Sequence, residues 1–544
     1  MKCFHPLALT ALLTLPHTAY GFFVDGNGHY ALRGETRTSP EFSKQSGTYQ
    51  AVEQSFRLKG EARFNDLSSM YLEFRLLDNP REAYLGDEAE PENCRGKSEG
   101  DPGCRTRHQN TGEPSYAPYV PRITQAYVRY AFDYCIIEAG RRGRDWGLGI
   151  FMDSGSDPFE TSSSVYDGVT CNVNIQKTQT LGFSVGYDKL QETGTTVDQR
   201  QEVKAKNERV YGANDLYDDV DQYFFTIEYD DRKANAGAAF TKQVGVYFSQ
   251  VSASGKADQG GGSANTDLKF LDLYTGFFVG DLILRNEILF RMGKSADPNW
   301  IALGGDFEDD NSNIVTNKLD SIAFAGSIAW IIDKSGAPLG PAEYNQGDAT
   351  QHLVFFDYAY APGDEDGYFD TRTELPRDSN TGQIVEGTPR RNDRVTAVAF
   401  HRNYKPALLL FNARPEADEL IVDGNFNPSR MMNASLLATG YRYESMANGN
   451  FEFKFISANL LQGTPAEVKA QYAEQNNPDA VRPVGTYGKH LGYELDLAYS
   501  RQVGKEATIG IAGGAALPGD AWKRTDNEKP VFSAVIQTFA AFRF

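Results

Sequence analysis

The residues of this chain with the clearest chemical capacity are arginines and lysines that recur at every second position. In the run 56–64, Arg57, Lys59, Glu61 and Arg63 alternate with Phe56, Leu58, Gly60, Ala62 and Phe64. A guanidinium offers five donors in a planar fork that matches a carboxylate, and an ammonium is a compact cationic point. The same alternation adds Arg33, Arg37, Arg75, Arg129, Arg142, Arg144, Arg285 and Arg291 to one charged face. Acidic residues interleave with them, among them Glu35, Glu73, Glu138, Glu228, Asp272, Glu287, Glu494 and Asp496. Two readings stay open. The cations form a surface that attracts anions, or each arginine neutralises a neighbouring carboxylate across the sheet.

Covalent chemistry has little to work with. Beyond the first residues the histidines are His29, His108, His352, His401 and His490, and none stands beside a telling serine. There is no Gly-x-Ser-x-Gly elbow, no phosphate-binding Gly-rich loop and no His-Glu-x-x-His, so no catalytic residue and no cofactor is expected. The acidic stretch 306–311 lacks the glycine placement of a calcium loop and reads as solvated. Cys94 and Cys104 share one Gly/Pro-rich loop and are expected to form a disulfide, whereas Cys135 and Cys171 either pair or stay free. The cysteine spacing fits no zinc site. A formal net charge of −19 excludes nucleic acid as the expected partner.

These side chains need strands to position them. Met70, Leu72, Phe74 and Leu76 alternate with Tyr71, Glu73 and Arg75; Leu282, Leu284, Ile288 and Phe290 alternate with Arg285, Glu287 and Arg291. The same holds for Phe451, Phe453 and Phe455 and for Leu491 to Tyr499. Short turn signals at Asn65-Asp66, Gly280-Asp281, Asn448-Gly449-Asn450 and Gly504-Lys505 take turns with long acidic loops near 78–121, 145–168, 193–217, 294–317, 362–393 and 462–487. That rhythm predicts a transmembrane, antiparallel up-and-down β-barrel of about 18 strands, with long extracellular loops and short periplasmic turns. Its lumen face is the charged one. A mean hydropathy of −0.49 is compatible, because only alternate strand residues meet lipid.

The ends agree with this. Lys2, the apolar stretch Leu7 to Leu15 and Ala19-Tyr20-Gly21 read as a signal peptide over 1–21, leaving a barrel domain over 22–544. Phe532, Ala534, Ile536, Thr538, Ala540, Phe542 and Phe544 form one apolar face of a last strand. A barrel strand with that aromatic end implies recognition by the barrel-assembly machinery in the outer membrane of a Gram-negative bacterium. The segment 394–431 breaks the alternation between Pro406 and Pro415, and reads as an extra strand pair or a loop folded into the lumen.

The run Gly140-Arg141-Arg142-Gly143-Arg144-Asp145-Trp146-Gly147 ends one strand and opens a long loop. With His490 to Leu497, Gly513-Gly514 and Leu517 to Asp520, and the acidic entry Tyr360 to Gly367, it resembles the bacterial alginate-export outer-membrane channel family. The resemblance covers scattered islands, mostly in the last third. It implies an 18-stranded channel passing an anionic polysaccharide, with Arg142 and Arg144 as anion contacts and Glu494 and Asp496 as pore-wall acids. The lumen here is of mixed charge, and the turn at Gly504-Lys505-Glu506 is too short for a periplasmic plug.

The reading is therefore a monomeric, passive outer-membrane channel for an anionic or sugar-like solute, extending to acidic polysaccharide export. A plugged structural or adhesin-type barrel and an outer-membrane hydrolase are the alternatives.

Overall fold

A computed structural model describes residues 23–39, 42, 47–76, 122–157, 160, 163–174, 180–191, 220–232, 235, 238–253, 266–295, 317–335, 350–363, 394–401, 403–412, 431–445, 448–461, 489–522 and 529–544. Cys94, Cys104, the leader and the acidic stretch 306–311 lie outside them.

Alternation has the consequence expected of it. In β17 (His490–Val503), Glu494 and Asp496 are buried while Tyr493, Leu495, Leu497 and Tyr499 are exposed. In β19 (Ser533–Arg543), Val535 and Gln537 are buried while Ile536 and Phe542 are exposed. A side chain exposed on the outside of such a wall has only lipid to meet, so apolar residues there are stabilised by a membrane. Outward aromatics add cross-strand contacts, as in Tyr187 with Tyr223 and Phe455 with Tyr493, whose ring centroids are 5.2 and 5.8 Å apart.

Eighteen strands among the described residues form the wall, each antiparallel to its neighbours in sequence order. They are β1 (Phe23–Thr38), β2 (Thr48–Arg63), β3 (Ser68–Leu76), β4 (Arg122–Ala131), β5 (Ile136–Gly143), β6 (Val165–Asn174) and β7 (Leu181–Gln191). Next come β8 (Val220–Asp230), β9 (Phe240–Ala253), β10 (Thr266–Val279), β11 (Leu282–Ser295), β12 (Asn317–Ser335) and β13 (Thr350–Ala361). After the two-residue β14 (Arg394–Val395), which pairs in parallel with β12 away from the wall's own ladder, follow β15 (Ala434–Ser445), β16 (Asn450–Leu460), β17, β18 (Ala507–Pro518) and β19. β1 pairs with both β2 and β19, which closes the ring and removes any free edge. Phe544 extends the closure by exchanging both backbone hydrogen bonds with Gly28, at 2.8 and 3.0 Å.

Turns at 64–67, 280–281, 448–449 and 504–506 lie at one end and the long loops at the other, as the sequence predicts. The connection 336–349 between β12 and β13 departs from this, being long on the short-turn side.

Cys135, in the turn after β4, is disulfide-bonded to Cys171 of β6, with the Cα atoms 5.7 Å apart. The bond joins the turn that opens β5 to the adjacent β6 at the short-turn end. Reduction should lower stability by about 2–4 kcal/mol, since the tie restricts the unfolded chain. Heat-induced loss of the folded electrophoretic band, with and without reductant, measures this; a Cys135→Ser/Cys171→Ser variant should behave as the reduced protein does.

Candidate functional site

A wall of eighteen strands encloses more space than its own side chains can fill. Two stretches of chain enter that space. The first is the loop after β5. Its entry is shaped by Gly147 and Gly149 with φ of +59° and +81°, a left-handed conformation that favours glycine. A Cβ on Gly147 would lie 2.5 Å from the Glu287 carboxylate, so a larger residue there would push that side chain aside. Asp145 accepts hydrogen bonds from the Ser154 N–H at 2.6 Å and hydroxyl at 2.8 Å, folding the loop back on itself. Trp146 and Met152 are then buried against Phe224, Tyr247 and Tyr274, which project inward from β8, β9 and β10.

The second is the segment 396–412. It crosses the lumen. Arg291 of β11 donates to the Ala397 carbonyl at 2.6 Å, while Arg37 of β1, eight strands round the ring, donates to the carbonyls of Asn412 and Leu408 at 2.9 and 3.3 Å. Val398, Phe400, Leu409, Leu410 and Phe411 are buried by this crossing. The two intruding stretches also join each other. His401 donates its N–H to the Ile150 carbonyl at 2.8 Å, and the Asn403 amide donates to Asp153 at 2.9 Å. Together they form a constriction inside the barrel.

Wall carboxylates fasten both. Glu494 accepts the Leu409 and Leu410 N–H groups, each at 2.7 Å, and Asp496 accepts the Leu408 N–H at 3.2 Å. Across the lumen Glu287 accepts the N–H groups of Leu148 and, at 3.5 Å, Ile150. Hydrogen bonds to an ionised acceptor are stronger than neutral ones, and burial removes competing water. Glu494 and Asp496, read from the sequence as pore-wall acids, thus lie on the wall beneath the crossing segment.

The cations divide by environment. Arg57 donates to the carbonyls of Gly155 and Glu160, the second at 2.8 Å, and Arg75 to those of Ser154 and Gly155 at 3.3 and 2.9 Å. With Arg37 and Arg291 they fix the constriction. Arg144 is buried, donates to both oxygens of Asp188 at 2.8 and 3.0 Å, and lies over the rings of Tyr166 and Phe224 at 4.7 and 3.8 Å. Arg142 contacts Glu138 and donates to Thr170 at 2.5 Å. Arg33 is paired with Glu53, Lys59 with Glu73 at 3.3 Å and Arg63 with Glu61 at 2.9 Å. Arg285 lies 5.7 Å from the Phe278 ring, and Arg129 lines a 570 Å³ cavity at the short-turn end with Arg63 and Glu61. All of these project inward except where the chain leaves the wall at Arg144. The structure brings Arg37, Arg57, Arg75 and Arg291 to the constriction and leaves Arg63 and Arg129 at the far mouth.

One cation was not legible in the alternation. Lys405 stands on the crossing segment, exposed to the lumen, with Arg33, Arg37, Glu35 and Glu53 in electrostatic reach. Pro406 beside it was the available cue. Outside the strands, burial pushes the Glu160 carboxyl up to about 7, with Asp153 and Asp157 adding to the effect against its hydrogen bond from the Asp157 N–H.

No protein-family model matches the sequence, and no curated protein matches it. Solved structures similar in fold are outer-membrane porin-like barrels. OccK2 (OpdF) of Pseudomonas aeruginosa, in complex with glucuronate, is 11% identical with a TM-score of 0.44, over 96% of this chain and 99% of that one. A BenF-like porin from Pseudomonas fluorescens Pf-5 is 11% identical with a TM-score of 0.42, over 96% and 98%. The outer membrane protein OprD of Pseudomonas aeruginosa is 10% identical with a TM-score of 0.42, over 97% and 95%.

Proposed function

We propose that this chain is an outer-membrane channel for the passive passage of small anionic solutes, such as sugar acids. The observation that carries the reading is the crossing segment: it runs through the inside of the barrel and carries the exposed Lys405 within electrostatic reach of Arg33. Carboxylates passing the crossing segment meet a cation there, while the buried arginines hold the segment in shape. Cationic side chains at a constriction favour anions by lowering their energy where water is scarcest. The mixed charge of the wall keeps binding weak enough for release.

Lys405→Glu tests this. Anion-over-cation permeability should fall about fivefold or more, as expected for reversing one charge at a narrow passage. The measurement is the reversal potential of the variant and the parent in a planar bilayer under a salt gradient. An unchanged reversal potential in a folded variant would show that Lys405 lies off the path.

Export of an acidic polysaccharide is the finer form of the same reading, and the resemblance to alginate-export channels supports it. A polymer would need the crossing segment to move, because 396–412 is held at both ends. Block by a uronate monomer but not by a polyuronate favours the small-solute form, and block by both favours the polymer. The proposal includes a leader over 1–21, assembly through the terminal strand ending at Phe544, and a monomer.

A further inference from the structure

The outside of the wall carries a charged row that transport does not use. At the loop-side end, Arg141 stands directly opposite Asp167, Asp167 opposite Lys189, and Lys189 opposite Asp221. Past Ser252 the row continues through Asp267, Lys294 and Lys318, each again directly opposite the next. It runs over β5 to β12, interrupted only at β9 by the uncharged Ser252. Every member lies on the lipid-facing side of its strand, in line with Val169, Tyr223 and Met292, which are exposed two residues nearer the short-turn end, and with Ile322, exposed four residues from Lys318. The outward positions at the same end of β15, β16, β1 and β2 are uncharged: Ser435, Asn459, Thr38 and Thr48. Half of the rim is therefore charged where lipid chains end.

Within the row, β10 to β12 stand out. Lys294 and Lys318 are both exposed and directly opposite one another, and exposed Lys269 lies on the same face, opposite Met292. Like charges directly opposed across strands repel. Asp320 lies 3.7 Å from Lys318, and Asp267 is engaged by the Gln250 amide at 3.2 Å, so the local carboxylates only partly offset three ammonium groups. An anion between the lysines would remove the repulsion.

We propose that Lys269, Lys294 and Lys318 bind the phosphate groups of a phosphorylated glycolipid in the outer leaflet, with its acyl chains along Met292 and Ile322. This rests on the outer-membrane reading. A lipid is chosen over free phosphate because exposed Met292 lies directly opposite Lys269 and two residues from Lys294, so that one molecule can satisfy both. The alternating Arg141, Asp167, Lys189 and Asp221 continue the rim as a two-signed surface suited to a packed layer of such headgroups. Each lysine near an anionic surface contributes an attraction that multiplies with the others.

The test is titration of the full-length protein in neutral detergent with a fluorescent, bisphosphorylated, multi-acylated diglucosamine. The parent should bind saturably, and Lys269→Gln/Lys294→Gln/Lys318→Gln should bind at least ~tenfold more weakly. The dephosphorylated lipid should bind no better to the parent than to the variant. Equal binding by parent and variant, or by both lipids, overturns the proposal. Competition by inorganic phosphate at the lipid's own concentration would assign the site to free phosphate and also overturn it. Conductance of the triple variant should match the parent, because the lysines lie outside the lumen. Loss of anion preference in the parent with lipid binding intact would sink the channel reading alone.

Discussion

Replacing both Glu494 and Asp496 by alanine should raise single-channel conductance about two- to fivefold, by freeing the segment that crosses the lumen. Three consecutive backbone N–H groups, at Leu408, Leu409 and Leu410, depend on these two carboxylates. A charge-assisted hydrogen bond contributes about 1.5–3 kcal/mol, and a buried donor left without a partner costs a comparable amount. The two carboxylates repel each other, which offsets part of the gain, but removing them strands three donors in a buried position. Arg37 still holds the carbonyls of Leu408 and Asn412, so the freed segment stays tethered at one point. Glu494→Gln keeps an oxygen acceptor and should have a smaller effect than alanine. Planar-bilayer recordings of the double variant measure the change. Parental conductance from a correctly folded double variant would mean that apolar packing of Phe400, Leu409 and Leu410 alone holds the constriction.

The second large effect is expected at Arg144. Alanine there should destabilise the barrel by about 3–5 kcal/mol, the usual cost of leaving one member of a buried ion pair uncompensated. Asp188 is 1% exposed and would lose both of its guanidinium hydrogen bonds. The stacking over Tyr166 and Phe224 would go too, at about 0.5–2 kcal/mol. Urea unfolding followed by tryptophan fluorescence reads this, since Trp146 is packed on the neighbouring Tyr247 with ring centroids 5.6 Å apart. Replacing both partners, as Arg144→Met/Asp188→Leu, should recover most of the loss because no charge is then stranded. If Arg144→Ala instead unfolds as the parent does, the pair is hydrated and Arg144 is available to solutes.

The contrast between these two sites explains what the sequence could and could not convey. Period-two alternation fixes which face of a strand is apolar, because successive side chains point to opposite sides. Hence the outward set on β19 and the inward placement of Arg57, Lys59 and Glu494 were readable. Alternation carries no information about what an inward residue touches. Arg57 and Arg75 are satisfied by carbonyls of Gly155, about eighty or more positions along the chain, and Arg37 by carbonyls near residue 410. Such contacts arise only when the ring closes and loops fold back into it. The segment at 394–431 breaks the pattern, yet the route of residues 397–412 between Arg291 and Arg37 depends on strands far apart in sequence. The pairing of Cys135 with Cys171 is likewise not readable from the sequence, since the register between β5 and β6 decides it.

The most direct test of the channel reading is the reversal potential of the unaltered protein in a planar bilayer under a tenfold potassium chloride gradient. The account predicts open channels with a clear preference for chloride, and a further fall in chloride current when a small uronate is added. A preference for potassium, with no effect of the uronate, would contradict it.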